Sequence, residues 1–307
     1  MKAPSLFERI KESKLPALIN IAMLSTSRVR RPLHLNLQEN VTPFDRGNHQ
    51  DCALYESFDF SKEYKYLCEV ELRDYGISDD HAGPDDEHIR DLGDYKRSEL
   101  SYEISEVNEK NRVIKLTGSL YGDIMEISAR GNWGAVFDIA GITVKDAGEL
   151  TIFQELLIEA YSLEGQGNLK LALFTYFSAF ESLVASTLEN YRVTIPVELH
   201  YALEHLSLDQ KVRVTARTLQ FPHLDLESIP LWAALMEPLS TVKSIRNKIA
   251  HAKEKVEVTQ EEVDQCFLCI SIFHSFIKYK DQDIDQVRKR LYPKNALPAD
   301  FGHRIYN

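Results

Sequence analysis

The chain has 307 residues, 44% of them hydrophobic and 27% charged, with a net charge of −11. That composition fits a folded chain with room for two domains and excludes collagen-like, low-complexity and charge-dominated disordered proteins. The negative charge excludes a general nucleic-acid coat protein, because contact with a phosphate backbone needs a basic surface. The deficit is uneven, however: residues 1–149 hold 19 Lys and Arg against 27 Asp and Glu (−8), and residues 150–307 hold 17 against 20 (−3). Any polyanion contact is therefore expected in the second half.

In chain order, the first apolar run is Pro16–Leu24 (PALINIAML), read as the longest candidate for a membrane or signal segment. It is far shorter than the ~20 residues a span needs and has no cleavage-like flank, so a cytoplasmic protein with no membrane partner is expected. Period-two patterns follow. In Glu63–Arg73 (EYKYLCEVELR), Tyr64, Tyr66, Cys68, Val70 and Leu72 alternate with Lys65, Leu67, Glu69, Glu71 and Arg73, as on a half-buried strand. Similar runs stand at 32–38, 100–107, 112–122, 123–131 and 134–144, divided by turn-forming Asn, Asp and Gly. These predict about six antiparallel strands in a sandwich or distorted barrel over residues 1–148. The acidic stretch 78–94, with His81 and His88, lacks the spacing of a calcium loop and reads as a solvated loop.

From Glu149 the period turns helical, with helices predicted at 149–163, 168–190, 197–219, 229–252 and 259–279, followed by a polar tail to residue 307. Thr259 and Glu262 have the spacing of a capping box, and Pro238 is expected to restart the fourth helix. Cys266 and Cys269 lie in an apolar helical run and read as core residues. No second Cys or His pair is spaced to complete a zinc site, so neither metal nor cofactor is expected.

Chemistry concentrates in 241–254, TVKSIRNKIAHAKE. An Arg followed by a His is by itself a poor signal, since Arg28 with His34 and Arg217 with His223 show it too. Arg246 and His251 differ in position, because they close an amphipathic helix and Asn247 directly follows the arginine. A second helix, 168–190, carries Leu173, Phe174, Phe177, Phe180, Val184 and Leu188 on one apolar arc, with Glu181 inside it. A carboxylate buried there needs a cation, and Arg246 is its expected partner.

This pairing of an Ala-Phe-Glu-Ser-Leu helix (179–183) with an Arg-Asn-Lys-Ile-Ala-His helix end (246–251) resembles the HEPN superfamily of helical bundles, the Apea-like and abortive-infection types above all. With the strands read above, the chain is expected to be α+β, its β-rich half (1–148) a regulatory or sensing domain. The resemblance covers about residues 150–280, leaves that first half unaccounted for, and implies a HEPN-like helical domain (149–307). It further implies a metal-independent endoribonuclease of a defence or toxin system, acting as a homodimer on RNA through a composite site. Arg246, Asn247 and His251 would be its catalytic residues, Glu181 a supporting residue, and Lys248 and Lys253 RNA contacts. One departure is Lys253, which stands where modification-silenced HEPN toxins often have tyrosine. The β-rich half would bind a regulatory ligand or protein. The rival expectations are a non-catalytic HEPN-like dimerisation or scaffold module, and a carbohydrate- or peptide-binding β-domain with a helical partner.

The chemistry is coherent on its own terms. Metal-free RNA cleavage uses the ribose 2′-hydroxyl as nucleophile, so the protein need only move protons and stabilise the charged phosphorane. An imidazole does the first near neutral pH, and a guanidinium fork does the second. Five residues separate Arg246 from His251, about 140° around an ideal helix, so the helix must end before His251 or a second subunit must complete the site.

Overall fold

The computed structural model describes residues 4–33, 50–77, 99–122, 133–219, 225–251 and 256–293. It divides into two compact units, one from Ser25 to Ala147 and one that joins the N-terminal residues through Leu24 to the chain from Gly148 on.

Among its described residues the first unit holds six strands: β1 (Ser25–Leu33), β2 (Gln50–Asp59), β3 (Tyr64–Ile77), β4 (Glu99–Asn108), β5 (Val113–Gly122) and β6 (Trp133–Thr143). They form two antiparallel three-stranded sheets, ordered β1-β6-β3 and β2-β5-β4. Residues of both sheets share one core, in which the Phe137 ring meets those of Phe58 at 5.3 Å and Phe60 at 5.9 Å, so of the two expected forms, sandwich and distorted barrel, the sandwich is the one present. Each central strand carries a glycine where a neighbouring carbonyl presses in. A Cβ at Gly118 would lie 2.1 Å from the Ser101 oxygen, and one at Gly141 would lie 2.3 Å from the Tyr66 oxygen.

Three expectations for this half change. The strand predicted at 32–38 meets β1 at residues 32–33, β1 begins earlier at Ser25, residues 34–38 lie outside the described residues, and β2 has no counterpart in the predicted runs. In β3 the simple alternation fails, because bulges between Tyr64 and Tyr66, Leu67 and Glu69, and Leu72 and Asp74 reset the period, and Leu67 turns into the core. The run at 123–131 and the loop with His81 and His88 lie outside the described residues.

The second unit contains nine described helices: α1 (Leu6–Glu12), α2 (Leu15–Ala22), α3 (Ile152–Gly165), α4 (Leu169–Tyr191), α5 (His200–Glu204), α6 (Leu208–Leu219), α7 (Pro230–Ala250), α8 (Gln260–Tyr279) and α9 (Ile284–Leu291). The boundary expected at 148 falls within a residue of the division at Ala147, but the assignment of the N-terminal residues changes, since α1 and α2 belong to the helical unit. Buried Lys14 between them binds Glu164 of α3 at 2.5 Å and also Asp264 of α8, and Asn20 donates to the Leu291 carbonyl of α9 at 3.3 Å.

Helix starts follow their sequence signals. Thr259 and Glu262 cap α8 reciprocally, and Thr151 with Gln154 does the same for α3. The helix predicted at 197–219 is split, because Ser207 and Gln210 cap a new start ahead of α6. Pro238 does not restart α7. Pro230 takes the first helical turn, and Leu231, Trp232, Leu235, Leu239 and Val242 are buried on both sides of Pro238, so packing keeps one continuous helix.

One further correction concerns α4. Its 23 residues, with a window of mean hydropathy 1.4, meet the length and composition of a membrane span better than Pro16–Leu24 does. In this bundle the apolarity is used for packing: Ala172, Leu173, Tyr176, Phe177, Ala179, Phe180, Leu183 and Val184 are buried, and Phe180 meets Phe273 of α8 at 5.4 Å. Cys266 and Cys269 are likewise buried in α8, and burial pushes both thiols well above the usual range, as it does for Cys68 in the sandwich. Among the described residues no three His, Cys, Asp or Glu side chains are placed to hold a metal.

Two stability tests follow from the buried polar groups. Lys14→Met leaves the Asp264 carboxylate buried without its cation and is expected to cost ~3–5 kcal/mol in urea unfolding. His274, buried and with its Nδ1 unpartnered among the described residues, is held down to about 4 by burial and secondarily by the charge of Lys278. Its folded value lies below the 6.5 of a free imidazole, so the unfolded chain takes up the proton first as pH falls. The His274 contribution is complete above 6.5 and is lost between 6.5 and about 4, at up to ~1.4 kcal/mol per pH unit. Unfolding curves of His274→Phe, which keeps a ring against Phe153 without a titrating nitrogen, should be flatter in that window than wild type.

Candidate functional site

The site stands where α7 crosses α4. The Arg246 guanidinium lies over two aromatic rings of α4, its carbon 5.6 Å from the centroid of Phe174 and 5.6 Å from that of Phe177. Nη2 donates to Glu181 Oε2 at 3.2 Å, and Nη1 donates to Asn247 Oδ1 at 3.3 Å. Nε is buried with no partner among the described residues. The predicted ion pair is present, so Arg246, Asn247 and Glu181 form one cluster. The arginine is held by two nearby rings and by oxygens at two edges, which orients its remaining terminal N–H groups.

Glu181 is less buried than its sequence position suggested, with 38% of its side chain exposed. The physical reason lies in the centre of the α4 core face. Tyr176, Ala172, Ala179 and Leu183 are all buried, which moves that centre away from Phe174 and leaves Glu181 about 120° off it. The carboxylate therefore sits at the margin of the apolar face, beside the polar end of α7. An ion pair so exposed contributes ~0.2–1 kcal/mol, and each exposed cation–π contact about 0.5–1 kcal/mol. These interactions position a side chain more than they hold a fold.

His251 is the C-cap of α7, with φ −92° and ψ 0°, and its backbone N–H donates to the Asn247 carbonyl at 3.1 Å. The helix therefore ends one residue before the histidine. The imidazole is exposed and makes no hydrogen bond among the described residues. Asn247 does not orient it, since the Asn247 amide is directed to Arg246 instead. Lys248 is exposed on the last turn of α7, about 60° from His251 and on the side away from Arg246. Lys253 lies outside the described residues. Residues 238–253 contain no acid and four Lys or Arg, an electropositive run in an acidic chain.

The other Arg-to-His spacings separate by context. Arg28 lies on β1, bound through Nε at 2.8 Å and Nη2 at 3.1 Å to Asp138, and its His34, like His223, is outside the described residues. What the sequence left unassigned is the aromatic platform. Phe174, Phe177 and Glu181 fall within about 60° of one another on α4, a stripe visible in their spacing but not in any motif. Comparison of the chain with protein-family models, with curated proteins and with solved structures gives no match.

If the cluster serves positioning and not folding, Glu181→Gln should change the free energy of unfolding by less than about 1 kcal/mol in urea titrations. A loss of 3 kcal/mol or more would make the pair a structural element of the bundle.

Proposed function

We propose that the helical unit is a metal-independent endoribonuclease of HEPN type, acting as a homodimer in defence or as a toxin. The observation that carries this is the contrast at the end of α7: Arg246 is fixed from several sides, while His251, five residues on, is exposed and uncommitted. A helix cap whose role is structural has no use for a free imidazole, whereas proton transfer requires one within reach of substrate.

In such an enzyme the terminal N–H groups of Arg246 that Glu181 and Asn247 leave open meet the non-bridging oxygens of the scissile phosphate. The 2′-hydroxyl attacks the phosphorus, its proton passes to an imidazole, and the 5′-oxygen departs with a proton. The products are a 2′,3′-cyclic phosphate and a 5′-hydroxyl, and no water enters the bond-breaking step. A two-fold pairing of α7 ends would present two His251 rings, one as base and one as acid, with Lys248 and Lys253 along the strand. The sandwich unit would hold the regulatory ligand or protein. A non-catalytic HEPN-like dimerisation module remains the second reading, favoured by the Arg246–Glu181 bond, which is internal to one bundle.

The deciding experiment is cleavage of single-stranded RNA with EDTA present. His251→Ala is expected to lower the rate by roughly 10² or more with folding intact, since acid–base groups typically contribute ~10² to 10⁴. Arg246→Lys should fail to restore full activity, because an ammonium lacks the planar fork. A 2′-deoxy sugar at the scissile position should block the reaction. Equal stability and equal cleavage by His251→Ala would remove the histidine from the site, and no cleavage at all by wild type with its β-rich unit deleted would favour the scaffold.

A further inference from the structure

We infer that Lys170 is a phosphate contact of the same site, and that a bound RNA strand runs from Arg246 along α4 toward its first turn. The inference rests on the ribonuclease proposed above and adds to it a residue and a direction.

At 100° per residue, Phe174, Phe177 and Glu181 lie about 40°, −20° and 20° from Lys170, so the four share one narrow stripe of α4. Three of them are the residues that touch the Arg246 guanidinium. Lys170 is one turn beyond Phe174. It is exposed and makes no ion pair or hydrogen bond among the described residues. Three other lysines of this unit are engaged: Lys14 with Glu164 and Asp264, Lys11 with Glu261, and Lys243 with Asp209. A long cationic side chain left uncommitted in the same stripe as a held arginine is placed to receive a second phosphate.

Local charge supports the same path. Residues 165–180 contain no acid, and their one charged side chain is Lys170. Residues 238–253 contain no acid either. The contact of α4 with α7 brings these two runs together, and the acid beside it, Glu181, is already bonded to Arg246. An anionic strand following the stripe meets the Lys170 and Arg246 cations and the half-buried Phe174 ring, and the one carboxylate on its path, Glu181, is the one paired with Arg246. Along α4 the side chains incline toward the N-terminus, so the Lys170 ammonium is carried away from Arg246, which suits a neighbouring phosphate and not the scissile one. Lys170 is thus a binding residue and touches no reacting atom.

The test uses the full chain carrying His251→Ala, so that RNA binds without being cut, and reads fluorescence anisotropy of a labelled single-stranded RNA from 50 to 200 mM salt. Lys170→Gln should weaken binding by roughly three- to tenfold at the lowest salt and reduce the slope of log K against log salt by about 0.7, the value for one phosphate contact to a single strand. Lys170→Arg should restore both. Lys280→Gln, which removes a charge at the C-cap of α8, should alter neither. If Arg246→Ala abolishes binding while Lys170→Gln matches its parent in affinity and slope, the Lys170 contact is wrong and the ribonuclease site stands. If the parent protein binds no RNA, both fall.

Discussion

The helical unit depends on one buried cation. Lys14 has 4% of its side chain exposed, Asp264 has 3% and Glu164 14%, and the three belong to the α1–α2 connection, α8 and α3. Gln260 donates to both carboxylates and the Tyr176 hydroxyl donates to Glu164, so each charge is met by further hydrogen bonds. Removing charges from water is costly, and a buried ion pair is tolerated only with such geometry. The arrangement therefore specifies which segments meet more than it adds to their stability. It makes the first 24 residues part of a bundle whose other helices begin over a hundred residues later.

That dependence explains the least legible part of the sequence. Leu6–Glu12 and Leu15–Ala22 are too short for periodicity to declare their partners, and a lysine in a polar connection gives no sign of being buried. Long helices were legible: α3, α4, α7 and α8 all lie within a few residues of their expected bounds. The errors came where tertiary packing overrides a local rule. Pro238 stays inside α7 because apolar residues on both sides bury against the bundle, and β3 breaks its alternation at bulges that a strict period of two does not anticipate.

For the site, spacing was enough to pair Glu181 with Arg246, since two helix wheels fixed which edges could face each other. Burial was misjudged because Tyr176 and small residues at 172 and 179 also face the core, and a wheel weighted by large hydrophobics overlooks them. The stacking of Arg246 on Phe174 and Phe177 could not be read, because it depends on how α4 and α7 cross. Only coordinates fix that crossing.

The cysteines carry a separate consequence. Cys68 is shut inside the sandwich, while Cys266 and Cys269 are shut inside α8, and in each case burial keeps the thiol protonated and out of reach. A thiol-reactive dye can find these sulfurs only when the surrounding structure opens. Cys68 in the sandwich and the Cys266 and Cys269 pair in the bundle thus act as separate clocks, one in each unit. Their labelling rates would time the opening of the sandwich and of the bundle separately within a single intact chain.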